Sequence, residues 1–245
     1  MKLLLTVAHP DDETFGCGSV LAHATACGVQ SVVICATRGE LGEPMIDIGS
    51  TPLGEVREVE LRSAAAMLGV GRVELLGWRD SGVDGDPAPG SLAAADTADV
   101  AAALAGWIDE LQPDIVITPE GSDGHRDHLA IRDATLAALQ VSQWRPTRTY
   151  LWCLTRSALA AFTGVPDIGT PDEEITTIVD VAPYLELRWE AMRVHASQRP
   201  PYELMPPALQ HAFLATDHLI RLDPPFAGEP IERDWVISAT AARAD

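Results

Sequence analysis

The stretch LLLTVAHPDDETFGCGSVLAHATACG occupies residues 3–28. Residues 2–8 are nearly all apolar, which is typical of a strand that is buried on both faces of a parallel sheet. Helical patterning follows from Thr14 to Ala26 and ends at Gly28, a residue common at helix C-termini. Between them stand one imidazole and three carboxylates: His9, Asp11, Asp12 and Glu13. Their mutual repulsion must be offset by a cation, by a helix N-terminus or by solvent.

The same alternation of strand and helix continues along the chain. Further strands are expected at 29–37, 72–78, 113–120 and 148–154, and helices at 55–69, 94–111 and 127–140. Strands that alternate with helices favour crossover connections and a parallel sheet covered on both faces. The sequence therefore predicts an α/β protein with a Rossmann-like, three-layer fold and a mostly parallel sheet.

The pattern becomes less regular after Pro166. A strand over 172–181, a helix over 183–198, a proline-rich turn over 199–207 and a final helix and strand are expected. The chain contains no internal repeat and no low-complexity linker. We therefore predict a single domain over 1–245, with a C-terminal extension at about 166–245.

Composition restricts the classes of function. The formal net charge of −19 disfavours nucleic acid and anionic membranes as partners. The four cysteines show no paired metal-ligand spacing, so we expect small buried hydrophobic residues. Lys2 is the only lysine, which argues against Schiff-base and P-loop chemistry. Without a leader or a membrane-length apolar run, we expect a cytoplasmic protein with no membrane insertion.

The first acidic cluster lies where an open parallel sheet binds its ligands, beyond the carboxyl end of a strand. Neighbouring Asp11 and Asp12 do not easily point the same way, so one of them can bind a metal ion with His9 while the other faces the open side of that ion. A hydrogen-bonded loop without metal is the alternative. Glu13 begins a helix, where the helix dipole by itself accounts for a carboxylate.

A second cluster follows the fourth strand, in PDIVITPEGSDGHRDHLAIRDA at 113–134. His125 and His128 lie three residues apart at the start of a helix, so they are near one another. Asp127 is a candidate N-cap, and it could also orient His125 through a carboxylate–imidazole bond. His9, Asp12 and one of these two histidines would form a mixed N and O ligand set that suits zinc. The remaining groups would supply a base and a cation that steadies an oxyanion.

Six short motifs, in a fixed order between residues 4 and 198, match the pattern of a known family. They are AHPDDE, TRGE, REVELRSAAAMLG, GWRDSG, GHRDH and HASQ. Together they resemble the LmbE-like, or PIG-L, family of zinc-dependent N-acetylglucosaminyl deacetylases. AHPDDE with the HxDH pattern carries most of the resemblance. GWRDSG looks most like the branch that contains the mycothiol-pathway deacetylase and conjugate amidase.

The resemblance implies a role for each matched residue. His9, Asp12 and His128 would hold Zn²⁺, with Fe²⁺ as the alternative ion, and Asp11 would be the general base. His125, oriented by Asp127, would stabilise the oxyanion or protonate the leaving amine. Three further residues would contact or border the sugar: Arg57, Asp80 and Glu40. HASQ contributes His195, which we interpret as part of a hydrogen-bond network at a helix end.

This chain departs from the family pattern at three positions. Arg126 replaces the usual proline of HPDH and adds a cation at the rim. Asp123 stands where the mycothiol-type enzymes carry a tyrosine that helps polarise the amide. Arg188 stands where a lysine is usual. The first two differences bear on the particular substrate more than on the metal-dependent hydrolysis.

The resemblance implies a zinc-dependent hydrolase that removes acetyl from a small N-acetylglucosamine-containing substrate. An amidase for a larger glucosaminyl thiol conjugate is the alternative, and a non-catalytic carbohydrate-binding protein is a more distant one. A phosphoaccepting signalling domain would need a lysine at the end of a later strand, and Lys2 begins the first. The sequence leaves open the aglycone, the native metal and whether the chain forms a homo-oligomer.

Overall fold

The computed structural model describes residues 1–165, 167–228, 231–233 and 235. The strands are β1 Lys2–Val7, β2 Gln30–Cys35, β3 Arg72–Leu75, β4 Ile115–Pro119, β5 Arg148–Cys153, β6 Thr177–Asp180 and β7 Thr216–Asp223. The helices are α1 Asp12–Phe15, α2 Gly18–Ala26, α3 Leu53–Met67, α4 Thr97–Leu111, α5 Arg126–Val141, α6 Arg156–Thr163, α7 Leu185–Val194 and α8 Pro207–Leu214. The end of the predicted extension, at residue 245, lies outside the described residues.

The described strands form one seven-stranded sheet in the order β3-β2-β1-β4-β5-β7-β6. Strands β1 to β5 are parallel, whereas β7 runs antiparallel to both β5 and β6. This confirms the predicted α/β fold with a mostly parallel sheet. The C-terminal extension does not form a separate layer, because β6 and β7 complete the edge of the same sheet.

Alternate residues of the first strand face opposite sides of this sheet. Leu3, Leu5 and Val7 pack into one buried cluster with residues of α2 and α3, and Leu4 packs into another with residues of α4 and α5. Both faces of β1 are therefore covered, which explains why apolar residues occupy the consecutive positions Leu3, Leu4 and Leu5 instead of alternating with polar ones. A central strand that is buried on both sides fixes the position of the turn that follows it.

The helix predicted over residues 14–26 is wrong in one respect, because it is interrupted. Helix α1 ends at Phe15 and α2 begins at Gly18. The buried guanidinium of Arg188, in α7, donates hydrogen bonds to the carbonyl oxygens of Thr14, Phe15 and Gly16. A cation from a distant segment thus satisfies the carbonyl groups that the break leaves free.

The site lies at the carboxyl ends of β1 and β4, which are neighbours in the sheet. From β1 the chain crosses to β2 on one side, whereas β4 and β5 lie on the other side. Loops that follow β1 and β4 therefore diverge and leave a crevice between them, the position at which open α/β sheets bind ligands. Across the described residues, every helix is too short or too polar to cross a bilayer.

Candidate metal centre and active site

The fold brings the two predicted clusters together. The ring centres of His9 and His128 lie 5.6 Å apart, and that of His125 lies 4.6 Å from His9 and 4.9 Å from His128. The carboxylate of Asp12 lies between two of these rings: Oδ2 is 3.6 Å from His9 Nδ1, and Oδ1 is 3.2 Å from His128 Nε2. Residues that follow two different strands therefore surround a single point.

Asp12 is held in place by the backbone of its own turn. Its Oδ2 accepts hydrogen bonds from the N–H groups of Ala8 at 3.1 Å and His9 at 2.8 Å. Burial alone would raise the pKa of Asp12, but the imidazoles of His128 and His9 hold that pKa well below its usual range. Asp12 is therefore an ionised oxygen donor that both histidines face.

His9 has carboxylates on both sides of its ring. Its Nε2 lies 3.2 Å from Oδ2 of Asp127 and 3.7 Å from Oδ1 of Asp80, while its Nδ1 faces Asp12. Burial lowers the pKa of His9, and these three carboxylates outweigh burial and raise it well above its ordinary value. An imidazole held at Nε2 by a buried carboxylate presents Nδ1 in a fixed direction, the usual arrangement behind a metal-ligating histidine.

The predicted carboxylate–imidazole contact from Asp127 to His125 is wrong, because the Asp127 carboxylate faces His9. Its Oδ2 also accepts the N–H of Ser81 at 3.0 Å. His125, not Asp127, is the N-cap of α5, and its Nδ1 accepts the backbone N–H of Asp127 at 3.2 Å. Because Asp127 lies in the first turn of α5, its side chain points toward His9. The order of neighbouring residues in the sequence does not show this direction.

The same contact fixes the tautomer of His125. Because Nδ1 accepts a hydrogen bond, the proton of the neutral ring is on Nε2. Burial and the neighbouring His9 and His128 lower the pKa of His125. His125 is thus a neutral hydrogen-bond donor at pH 7, which differs from the cation expected from the sequence.

Asp123 contacts both histidines of the second cluster, and the sequence did not predict these contacts. Its Oδ2 lies 2.5 Å from His128 Nδ1, and its Oδ1 accepts the backbone N–H of His125 at 3.0 Å. Burial lowers the pKa of His128, but Asp12 and Asp123 raise it to about 10. The family resemblance marks this position only as one where a tyrosine is replaced. The sequence signal that could have indicated these contacts is an acidic residue just before two histidines.

Asp11 projects into the same cavity from an unusual backbone conformation. It precedes α1 with φ 128° and ψ −29°, a region that residues with a Cβ rarely adopt. Its Oδ2 accepts a hydrogen bond from Arg57 Nη2 at 2.8 Å. Burial raises the pKa of Asp11 to about 6, although Arg57 acts in the opposite direction.

The three predicted sugar contacts occupy different positions. Arg57 and Asp80 line the cavity with Asp11 and the histidines. Arg57 is buried and also donates to the carbonyl groups of Pro10 and Gly39 at 2.6 and 2.8 Å. Glu40 lines a separate cavity and accepts the backbone N–H of Asp80 at 3.1 Å. Glu40 is therefore placed to hold Asp80 rather than to touch a substrate.

The cavity has a volume of about 600 Å³, and its lining combines charged residues and histidines with apolar and aromatic side chains. Five residues of its apolar wall carry no sequence signal of function: Phe15, Leu41, Val83, Trp152 and Tyr202. Arg126, expected as a cation at the rim, donates to the carbonyl groups of Val83 and Gly85 and so anchors the loop over the cavity. Trp78 of the GWRDSG segment packs against the core.

One residue of the C-terminal extension, His195, contacts the first acidic cluster. His195 ends α7, and its Nε2 is 2.8 Å from Oε1 of Glu13. Both side chains are fully buried. His195 therefore lies in a hydrogen-bond network at a helix end, as expected. Glu13 does lie in the first turn of a helix, but the expectation that the helix dipole alone accounts for it is wrong, because its carboxylate is buried and hydrogen-bonded.

The donor atoms present fit a divalent ion such as zinc. One ligating atom from each of His9, His125 and His128 lies within 4.8 Å of the others, and the same holds for His9, Asp80 and Asp127. Asp12 adds a carboxylate between His9 and His128. Imidazole nitrogens combined with a carboxylate oxygen are a ligand set that catalytic zinc sites use.

Known proteins are similar to this chain in sequence and in fold. A relative from Mycolicibacterium gilvum, named 1D-myo-inositol 2-acetamido-2-deoxy-alpha-D-glucopyranoside deacetylase, is 37% identical over 80% of each chain. The N,N'-diacetylchitobiose deacetylase from Pyrococcus horikoshii superposes with a TM-score of 0.69 at 21% identity, over 90% of this chain and 83% of the other.

The fold by itself does not select one chemistry. GalB, a 4-carboxy-2-hydroxymuconate hydratase from Pseudomonas putida, superposes with a TM-score of 0.65 at 21% identity, over 94% of this chain and 99% of the other. The sequence match is more specific, since a profile of the PIG-L family, described as GlcNAc-PI de-N-acetylase, covers residues 4–139. That match includes both clusters at the carboxyl ends of β1 and β4, and the chain belongs to the PIG-L family.

Proposed function

We propose that this protein is a metal-dependent hydrolase that removes the acetyl group from the amide nitrogen of an N-acetylglucosamine-containing small molecule. The observation that carries the proposal is the convergence of His9, Asp12 and His128 beside a cavity that Asp11 and His125 also face. The family match and the relatives named as N-acetyl sugar deacetylases support it.

We assign the metal ion to His9, Asp12 and His128, and we propose that the ion is Zn²⁺. Asp12 faces both histidines, whereas Nδ1 of His125 is already engaged by the backbone. When bound, zinc would polarise the acetamide carbonyl and make a water molecule more acidic. Asp127 and Asp123 would hold the outer nitrogens of His9 and His128, so that both rings keep their orientation.

Asp11 is assigned as the general base. Its carboxylate lines the cavity and has a pKa of about 6, close enough to neutral pH for it to be ionised and still accept a proton readily. The proton that Asp11 takes from water would be passed to the amine nitrogen as the amide C–N bond breaks. The products are acetate and the free amino sugar.

His125 is assigned to the developing oxyanion. Its Nε2 carries the proton, and a neutral donor stabilises negative charge on a carbonyl oxygen without first being protonated. The backbone N–H of Asp127 fixes the ring, so this donor is oriented before the substrate binds. Protonation of the leaving amine is assigned to Asp11 rather than to His125.

The finer proposal concerns the substrate. A relative named for an inositol-linked 2-acetamido sugar makes such a glycoside the first compound to test. Asp80 and Arg57 line the cavity as polar groups, and Trp152 offers an apolar face to a sugar ring. An amidase acting on a larger glucosaminyl thiol conjugate is the second candidate, since Leu41 and Val83 give the mouth an exposed apolar rim.

The proposal is tested with metal-loaded protein and a panel of amides. We expect release of acetate and a free amine from N-acetylglucosaminyl inositol, with slower release from N-acetylglucosamine. Release of a carboxylic acid only from thiol conjugates would favour the amidase. If the metal-loaded protein binds the sugars but releases no acid from any of them, the catalytic proposal is wrong and the carbohydrate-binding alternative is favoured.

A further inference from the structure

The backbone of Asp11 is held in a conformation that its own side chain does not explain. An aspartate that precedes a helix usually turns back to accept an N–H of the first turn. Asp11 supplies only its carbonyl oxygen, which accepts the N–H groups of Thr14 at 2.9 Å and Phe15 at 2.7 Å. Its side chain makes no such cap bond within the described chain and points to Arg57 and the cavity instead.

Glu13 provides the contact that holds this arrangement. Its side chain is fully buried, and its Oε2 accepts the backbone N–H of Asp11 at 2.9 Å. Its Oε1 accepts the hydroxyl of Thr14 at 2.5 Å. The carboxylate of Glu13 thus fixes the peptide on the N-terminal side of Asp11, while Arg57 fixes the carboxylate of Asp11.

Glu13 in turn depends on the C-terminal extension. A buried carboxylate needs a partner, because an unpaired charge in the interior is strongly destabilising. His195 Nε2, at 2.8 Å from Oε1, is the buried donor that supplies one. The remaining ring nitrogen of His195 has no hydrogen-bond partner among the described residues. Among the described residues, Glu13 is therefore the group that this ring contacts by a hydrogen bond.

We propose that Glu13 is a positioning residue for Asp11, and that His195 of the extension supports it. The inference rests on the proposed function, in which Asp11 is the base. Glu13 does not line the cavity and touches no substrate. Its effect is to keep Asp11 at positive φ, so that the carboxylate faces the reacting water instead of capping α1.

A purely structural role would predict a different result. In that case, Glu13 and His195 would only tie α1 to α7, and their loss would lower stability without a specific effect on turnover. Glu232 offers a matched comparison, because it is also a buried carboxylate that accepts hydroxyl groups, from Tyr150 at 3.0 Å and Thr177 at 2.8 Å. Glu232 contacts Arg148, the first residue of β5. This contact lies at the amino end of the strand, whereas the site lies at the carboxyl ends of the parallel strands.

The test is a double-mutant cycle between Glu13→Leu and Asp11→Asn, with metal content, melting temperature, kcat and KM measured for each variant. Glu13→Leu should retain the metal and lower kcat by about 10²-fold with KM little changed, as expected when a reacting group is displaced by about 1 Å. Glu13→Gln should recover much of kcat, because its amide oxygen can still accept the Asp11 N–H. In the Asp11→Asn background, Glu13→Leu should cause no further loss.

Two outcomes of the cycle would overturn the inference. One is that the losses from Glu13→Leu and Asp11→Asn multiply. The other is that Glu232→Leu, at a similar fall in melting temperature, lowers kcat as much as Glu13→Leu does. Should Glu13→Leu fail to fold, His195→Ala replaces it in the cycle, with the same expected and contradicting results.

A structural readout separates this inference from the proposed function. The crystal structure of metal-loaded Glu13→Leu should show Asp11 at negative φ, with its carboxylate turned toward the N–H groups of α1. If Asp11 keeps its positive φ and its contact with Arg57, the inference is wrong. This measurement needs no substrate, so a protein that released no acetate would contradict the proposed function alone.

Discussion

Asp12 Oδ1 lies 3.2 Å from His128 Nε2, although the two residues follow strands that are separated in sequence by two intervening strands. The contact exists because β1 and β4 are neighbours in the sheet. It places a carboxylate at the start of α1 against an imidazole in the first turn of α5. The metal centre therefore depends on the order of the strands, and each half alone supplies an incomplete ligand set.

Removal of the base should separate metal binding from catalysis. We expect Asp11→Asn to keep about one zinc per chain, because Asp11 faces Arg57 rather than the histidines. Turnover should fall by about 10²–10⁴-fold, the usual contribution of a general base. Metal analysis and kcat for acetate release are the measurements, and Asp99→Asn, on the surface of α4, is the control. An empty metal site in Asp11→Asn would mean that the roles of Asp11 and Asp12 are reversed.

Removal of a ligand should have the opposite signature. His128→Ala and Asp12→Ala should each lose zinc during dialysis at a chelator concentration that the unaltered protein withstands, and activity should disappear with the metal. His125→Ala should keep the metal and lose mainly kcat. His211→Ala removes an exposed histidine on α8 and serves as the control for loss of an imidazole. Retention of zinc by His128→Ala, together with its loss from His125→Ala, would replace one histidine by the other in the ligand set.

The carboxylates of Asp127 and Asp123, which contact the metal-ligating histidines, should strengthen zinc binding. Asp127→Ala and Asp123→Ala each remove the partner of the outer nitrogen of a metal-ligating imidazole. We expect zinc affinity to weaken by about 10–100-fold in each variant, measured by competition with a chelator. The corresponding asparagine variants keep an oxygen acceptor and should lose less. Equal zinc affinity in all four variants would contradict the assigned partners.

Zinc binding should depend steeply on pH. In the metal-free protein, the pKa of His128 is about 10 and that of His9 is raised well above its ordinary value, so both rings are protonated at pH 7. A ligating imidazole must be neutral, so binding should release about two protons, and affinity should rise as pH increases from 6 to 8. Calorimetry in buffers of different ionisation enthalpy measures the number of protons released. Release of no protons would contradict the raised pKa values.

Local patterns determined most of the architecture. The largely apolar segment at 2–8 predicted a strand buried on both faces, and the alternation of strands with helices predicted the parallel part of the sheet. These features depend on neighbouring residues, whose burial preferences and periodicity are visible in the sequence. The break between α1 and α2 was not visible, because Arg188 approaches from α7 to satisfy the carbonyl groups there.

The site shows the same division between local and distant causes. The family resemblance assigned His9, Asp12 and His128 to the metal, and these residues do converge. His9 and Asp12 follow the carboxyl end of β1, His128 follows that of β4, and the two strands are neighbours in the sheet. The partners of those residues were not predictable: Asp127 faces His9 instead of His125, and Asp123 holds His128. A side chain's direction depends on the turn of the helix that carries it and on what lies across the crevice.

Residue patterns along the chain were enough to predict the alternation of strands and helices and the strand ends that carry the reactive groups, and short motifs were enough to indicate the family. The fold was needed to show which carboxylate contacts which imidazole, that Glu40 lies behind Asp80, and that Glu13 is buried against His195. Periodicity records whether a residue is buried, whereas hydrogen-bond partners depend on distances of about 3 Å between segments that the fold brings together.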